Sequence, residues 1–303
     1  MLTLATFNVK DLFAPAANAT SALQALWHAK LADVTMRIQR SGADVVALQE
    51  VGGQVGLDAL LAALGAPWLG TCAAPNARGI ANAMVSKLPL RSLRMHYEAQ
   101  LPFPTFVAME PPPFGTHLSL GRAIIEAGFD TELGRVHVFC IHLKSNLPHP
   151  QSKPDGTPIA ATTGRSRAES SVRSLVLRVA EALYVRGLVD TACLDTPNVV
   201  VAGDCNDLPD SLPLRVMQGE PNDPSHQDLR SVRSALPEHK RYTALFRGRT
   251  QTLDHILVSP AMSARLASAD ADLEGLRDHG PWDPNAPPTT DSDHALVLAR
   301  FAA

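Results

Sequence analysis

No two of the four cysteines, Cys72, Cys140, Cys193 and Cys205, stand in a C-x-x-C spacing, which argues against a zinc cluster or a disulfide framework. No run of about 18 apolar residues occurs, so no membrane segment is read. The opening MLTLATFNV lacks the basic start and apolar stretch of a signal peptide. These absences lead us to expect a soluble, cytoplasmic protein. Charge of one sign is also lacking: 27 Lys and Arg stand against 30 Asp and Glu, a net charge of -3. That leaves no global pull toward nucleic acid or an anionic membrane, although a local basic groove would suffice for either. Aromatics make up only 5%, which leans mildly away from a base-stacking surface. With neither an internal repeat nor a linker between two hydrophobic cores, residues 1–303 read as a single domain.

What the chain does have is a series of short apolar runs that end in polar residues. The clearest is NVVVAGDCNDLPD, residues 198 to 210. Val199, Val200, Val201 and Ala202 form a short buried strand bounded by Asn198 and Gly203. Asp204 and Asn206 then stand where the backbone leaves the core. A carboxylate beside an amide suits a site that handles a water and an oxyanion together, although a plain Asx turn explains the pair equally well. Cys205 between them is expected to point away, and Cys140 to be a buried free thiol.

The same pattern recurs along the chain. An opening strand from Leu2 ends at Asn8, and ADVVALQEV ends in Gln49 and Glu50. A carboxylate there is either solvated or bound to a cation, because burying it unpaired is costly. Arg122 begins the strand of GRAIIEAGF, and VHVFCIHLKSN ends in His142 and Lys144. Asp254 opens the strand Ile256-Leu257-Val258, while Asp293 and His294 precede the last strand, ALVLARF. Helices are expected over 20–40, capped by Thr20 or Ser21 and stopped by Gly42, over 55–64, and over 166–186. The last has Ala168, Ser171, Val172, Leu175, Val179 and Leu183 as its apolar stripe, and Arg167, Arg173, Arg178 and Arg186 on a solvated face. Residues 101–116, 145–165 and 280–290 read as loops, and 208–238 as irregular with short helical pieces. HKRYTALFRGRTQ is the most basic stretch and reads as a hairpin. Its interleaved Tyr242 and Phe246 suit either a nucleic-acid groove or an ordinary surface ribbon.

Taken in order, FN (Asn8), LQEV (Glu50), Arg122, IHLKS (His142), GDCN (Asp204, Asn206), LDHILVS (Asp254) and SDH (Asp293, His294) closely resemble the endonuclease/exonuclease/phosphatase superfamily. Its members include DNase I, exonuclease III, AP endonucleases, inositol polyphosphate phosphatases and neutral sphingomyelinases. The resemblance runs from residue 4 to residue 301. It implies an α/β (α+β) fold of the DNase I type: a four-layer α/β sandwich, two mixed β-sheets packed face to face with helices on the outside. It also implies phosphoester hydrolysis dependent on Mg²⁺ or Mn²⁺, and oxygen-only ligands do suit such hard cations. Carried over residue by residue, Glu50 would be the principal metal ligand, helped by Asn8 and Asp293. Asp204 would orient or deprotonate the attacking water, and Asn206 would hold a phosphate oxygen. His294, polarised by Asp254, would contact or protonate the phosphate, and His142 would protonate the leaving oxygen. Arg122 and Lys144 would bind the substrate phosphate.

Three departures bear on substrate. Lys10 stands where AP endonucleases carry an acidic residue, which removes a metal ligand and makes abasic-site repair less expected. The tryptophan-rich and Cys-Asp-Arg blocks of the inositol phosphatases are absent, with TLDHIL in the place of the latter. SDH is followed by Ala295 rather than by an aromatic residue and proline. His142 with Arg122, and the basic hairpin 239–249, lean toward nucleic acid, so the reading is a nuclease with nucleic acid as substrate. The alternatives are a phosphatase or phospholipid-type phosphodiesterase, and a non-catalytic binding module on the same scaffold.

Overall fold

The computed structural model describes residues 1–115, 117–219, 228–280 and 288–303. In chain order the first elements are β1 (Leu2–Leu12), α1 (Ser21–Ser41), β2 (Val45–Val51), α2 (Gly53–Leu64), β3 (Leu69–Cys72), β4 (Ala81–Ser86) and β5 (Leu90–His96). Next come β6 (Ile124–Thr131), β7 (Gly134–His142), α3 (Gly164–Asp195), β8 (Val199–Asp204), α4 (Leu212–Gln218) and β9 (Arg230–Ser231). The chain closes with β10 (Ala244–Phe246), β11 (Arg249–Gln251), β12 (Asp254–Val258), α5 (Pro260–Ala264), β13 (Leu266–Asp272) and β14 (Leu296–Phe301).

These strands build two six-stranded mixed sheets, in the orders β13-β14-β1-β2-β4-β3 and β5-β6-β7-β8-β12-β9, plus the two-stranded ribbon β10-β11. Each large sheet has one parallel pair at its centre, β1 with β2 and β7 with β8. Alternation along the strands explains the layering. Leu2, Leu4, Val45 and Ala47 of one sheet pack with Val138, Cys140, Val200, Ala202 and Ile256 of the other. The opposite faces carry Ala5, Phe7, Val46 and Leu48 against Val34, Ile38, Leu57 and Leu60 of α1 and α2. On the far side, Phe139, Ile141, Val199 and Val201 meet Ala182, Val185, Val189 and Leu214 of α3 and α4. The result is helix, sheet, sheet, helix: the expected four-layer α/β sandwich.

Local signals behave as their chemistry dictates. The Thr20 hydroxyl accepts from the Leu23 amide at 3.3 Å, and Gly42 ends α1 at φ 68°, a left-handed backbone that glycine adopts without strain. Gly203 is required for a different reason. A Cβ there would lie 2.0 Å from the Ile141 carbonyl oxygen of the neighbouring strand, so the glycine of the GD pair exists to let β7 and β8 close. Cys205 points into the α3/α4 layer and Cys140 lies between the sheets, and both are buried free thiols.

The structure corrects the reading of α3. The helix runs 32 residues, and its buried stripe is Ser170, Ser174, Arg178, Glu181, Val185 and Val189. Val172 and Leu175, expected inside, are exposed. Arg178 is buried, pairing with Asp207 at 2.7 Å and donating to the Lys144 and Ser145 carbonyls. Small and charged side chains at this spacing read as a solvated face because their partners are loop carbonyls distant in sequence. β3, β5 and β13 were not foreseen either. Residues 220–227, within the irregular 208–238 segment, and 281–287, within the loop at 280–290, lie outside the described residues. Among the described residues, no helix is long and apolar enough to cross a membrane.

Candidate active site

The polar strand ends converge where the two sheets meet. β12 pairs with β8 so that Asp254 faces Asp204, and β7 pairs with β8 so that His142 faces Asp204. β1 and β2 bring Asn8 beside Gln49 in register. The ladder between β2 and β4 then slips between Leu48 and Val51, and Glu50 takes a left-handed φ of 64°. Bulges of this kind re-aim a side chain out of the pleat, and here the re-aimed group is the Glu50 carboxylate. Asn206 is likewise left-handed, at φ 52°. Backbone held in such sparsely populated conformations costs roughly 1–3 kcal/mol each and clusters at functional sites.

The Asn8 amide joins the two halves of the site, donating to Asp204 Oδ2 at 3.0 Å and to Glu50 Oε1 at 3.4 Å. His294 Nδ1 lies 2.8 Å from Asp254 Oδ2. His142 Nε2 stands 3.5 Å from Asp204 Oδ2 and 4.0 Å from Glu50 Oε1. The Asn206 backbone amide donates to Asp204 Oδ1 at 2.8 Å, while its side-chain amide donates to the Leu143 carbonyl and Asp204 Oδ2. Asp293 reaches toward His294 Nε2 at 4.0 Å and is held by the Lys10 ammonium at 2.6 Å. Asp254, Asp204, Asn8 and His142 are all buried, whereas the Glu50 side chain is about one-fifth exposed.

Burial sets the protonation pattern. It pushes Asp204 up from the ordinary carboxylate value, an effect that the Asp254 charge adds to and that His294 opposes. His294 is raised: burial pulls its pKa down, but the Asp254 charge and hydrogen bond, with Asp204 and Asp293, outweigh that pull. His142 goes the other way, lowered well below the ordinary imidazole value by burial first and by the Arg122 and His294 charges next. One histidine is therefore poised as an imidazolium and the other as a neutral ring.

Arg122 donates one guanidinium nitrogen to the Leu143 carbonyl at 3.2 Å, and its buried Nε finds no partner among the described residues. The Lys144 ammonium turns to the Ser145 and Leu147 carbonyls and the Ser145 hydroxyl, so it is the one named residue whose head group is engaged by its own loop. A residue not foreseen is Arg78, on the exposed turn between β3 and β4, whose charge lowers both His142 and Lys144. Nothing in PNARGI marks it, because its role follows from the turn's position alone. A shallow depression of about 50 Å³, lined by Asp11, Phe13, Trp27 and Lys30 among others, adjoins Glu50 through Asp11, whose backbone amide donates to Glu50 Oε2.

The donors fit a hard divalent cation. Glu50 makes no ion pair with a lysine or arginine among the described residues, Asn8 and Asp204 bring further oxygens to its side of the site, and the Asp293 carboxylate is held by Lys10. Asp204, Asp254 and His294 also bring one ligand atom each within 4.8 Å of one another, although His294 Nδ1 already belongs to Asp254.

A model of the endonuclease/exonuclease/phosphatase family matches residues 5–294. The chain belongs to that family. Its members are hydrolases of phosphoester bonds and are generally dependent on a divalent metal. No curated protein matches the chain. Among solved structures, a mannosyl-6-phosphatase from Bacteroides thetaiotaomicron superposes with a TM-score of 0.64 at 15% identity, covering 100% of both chains. A 3′ phosphatase from Neisseria bound to a product DNA hairpin gives 0.58 at 17%, also over 100% of both. An AP endonuclease from Archaeoglobus fulgidus gives 0.58 at 16%, again over 100% of both. At these identities the family likeness is one of fold.

Proposed function

We propose that the chain is a metal-dependent phosphodiesterase acting on nucleic acid. The observation that carries the catalytic part is the single cluster in which Asp254–His294, Asp204 and the Asn8–Glu50 pair face one another. A Mg²⁺ or Mn²⁺ ion held by Glu50, with Asn8 and the Asp293 oxygen that the Lys10 ammonium does not take, would supply positive charge opposite the phosphoryl oxygens. Asp204, whose burial raises its proton affinity, takes the proton of the attacking water and keeps the water in line. The proton for the departing oxygen, which leaves poorly as an alkoxide, was expected from His142; burial keeps that ring neutral, so His294, raised toward the imidazolium form, gives it instead. His142, held neutral, donates one hydrogen bond to the phosphate, and the unpartnered nitrogen of Arg122 binds a second oxygen.

The nucleic-acid part rests on the β10-β11 ribbon. It is fastened to the site, with the Leu245 amide on the Asp293 carbonyl at 3.2 Å and the Ala295 amide on the Thr243 carbonyl at 2.6 Å. At its tip, half-exposed Phe246 carries the Arg247 guanidinium 5.3 Å above its ring, with Arg249 exposed beside it. An aromatic face between cations next to a phosphate site suits a polynucleotide strand. Lys240 and Arg241, by contrast, are engaged by Asp270 and by the Leu236 and Ser234 carbonyls. A second reading, a small cyclic phosphomonoester, is favoured by the shallow depression that sets the apolar faces of Phe13 and Trp27 beside Asp11, next to Glu50.

Hydrolysis with and without Mg²⁺ or Mn²⁺ separates the two. The panel is supercoiled plasmid, single-stranded DNA, RNA, bis-p-nitrophenyl phosphate and p-nitrophenyl phosphate, with Glu50→Ala as control. Metal-dependent nicking that vanishes in Glu50→Ala is the expected result. Silence on every polymer with turnover of the small ester would sink the nuclease reading in favour of the second.

A further inference from the structure

The last turns of β1 leave the regular strand. Lys10 and Asp11 take φ 47° and 52°, and the β1–β2 register breaks between Asn8 and Leu12. Non-glycine residues adopt this backbone rarely. Its consequence is to bring the Lys10 ammonium over the site, 2.6 Å from Asp293 Oδ2 and 2.6 Å from His279 Nδ1.

An ammonium has only protons to give, so His279 Nδ1 accepts and is the bare nitrogen of the ring. Its Nε2 then carries the hydrogen and donates to Asp291 Oδ1 at 2.8 Å. Behind this relay, the buried Lys30 ammonium donates to the Asp291 carbonyl at 2.6 Å. The Asp291–Asp293 side of the site is thus closed by two resident ammonium groups. The Glu50 side differs, since no lysine or arginine among the described residues pairs with it, and its oxygens meet only the Asn8 amide, the Asp11 backbone amide at 3.3 Å and, farther off, His142. A divalent ion placed against Asp293 Oδ2 would have to displace the Lys10 ammonium, and in the Asp204–Asp254–His294 group His294 Nδ1 is already committed to Asp254, whereas an ion at Glu50 meets no resident lysine or arginine among the described residues.

We propose that Lys10 is a resident cation that makes this a one-ion centre. Its ammonium takes the Asp293 oxygen and the adjoining space that a second divalent ion would need, and it leaves Glu50 to anchor the single ion. The inference rests on the metal-dependent reading above, but it concerns the number of ions rather than the reaction.

The test is to count Mn²⁺ bound by the intact chain, by electron paramagnetic resonance of free Mn²⁺ and by calorimetry, with no substrate present. Lys10→Asp replaces the ammonium with a ligand, and Lys10→Asn with a neutral oxygen. Both residues tolerate a left-handed backbone better than most, so either variant serves if the other fails to fold. Wild type is expected to bind one Mn²⁺, to lose it in Glu50→Ala, and to gain one further equivalent in Lys10→Asp, with weaker gain in Lys10→Asn. Two ions in the wild type, or a single ion in a folded Lys10 variant, would overturn the proposal and leave metal dependence intact. No Mn²⁺ bound by the wild type at all would overturn metal dependence, and the proposal with it.

Discussion

In the proposed reaction Asp254 acts only through His294. Its Oδ2 holds the ring at 2.8 Å, and the Leu253 and Asp254 amides are fixed in turn by the Thr243 hydroxyl. Because the His294 pKa is raised, the imidazolium persists toward alkaline pH, and a step that needs it fails as pH climbs through the folded-state value. Asp254→Asn removes the charge that does the raising but leaves the burial that opposes it. The alkaline limb of kcat/KM is therefore expected to move to lower pH, with a rate loss of about 10²- to 10⁴-fold, the usual worth of a positioned acid or base. A pH–rate profile checks this, and an alkaline limb that stays in place would remove His294 as the proton donor. At this scale the sequence was informative. Asp204, Asp254 and His294 stood out as polar residues capping apolar runs, and strand pairing sufficed to bring them together. Lys10 was legible as a departure, yet its bonds were not, since His279 and Asp293 come from a segment some 270 positions away.

The elements were legible where hydrophobic periodicity and caps agreed, as in α1, β2 and β8. They were not where packing partners are polar. α3 presents Ser170, Ser174, Arg178 and Glu181 inward because the 143–149 segment and Gly121 offer carbonyls and amides: Glu181 accepts from the Gly121 and Lys144 amides, and Ser174 donates to the Ser145 carbonyl at 2.6 Å. β13 was missed because LASADAD carries small and acidic residues along an edge strand, and β5 because five of its seven residues are exposed. Two substitutions decide which face of α3 is inside. Arg178→Ala leaves the Asp207 carboxylate without its buried partner and is expected to cost about 3 kcal/mol. Leu175→Ala, on the exposed side, should stay within about 0.5 kcal/mol of wild type. Urea unfolding measures both, and the reverse order would restore the face that the apolar pattern suggested.

For the molecule as a whole, the matching of motifs in order was what made a four-layer sandwich readable, since no single strand specifies which sheet it joins. One buried group then ties global stability to pH at the far sheet, where β5, β6 and β7 meet. Glu126 bridges His96 at 2.9 Å and His137 at 3.1 Å. Burial pushes its carboxyl up, but the hydrogen bonds and charges of the two rings outweigh burial and hold it at about 2, against an ordinary 4.5. A depressed carboxylate stabilises the fold fully above the unfolded value, and the contribution fades as pH falls toward the folded one. Glu126→Gln should accordingly flatten the loss of thermal stability between about pH 4.5 and 2. An acid limb as steep as that of the wild type would show that other carboxylates dominate it.

Net charge bears on substrate at the same scale. At -3 the molecule as a whole does not attract a polyanion, so any binding of DNA must come from local cations against an unfavourable mean field. Arg247 and Arg249 are the exposed arginines of the ribbon beside His294. If each neutralises one phosphate, each contributes about 0.9 to the slope of log affinity against log salt on duplex DNA. In a His294→Ala background that prevents cleavage, changing both to alanine is expected to reduce that slope by about 2. Fluorescence anisotropy over a salt series would report it. A slope that survives both changes would move the nucleic-acid path off the ribbon and onto the Arg78 and Arg122 side. A slope near zero before any change would favour the small ring-bearing ester in the Trp27 depression.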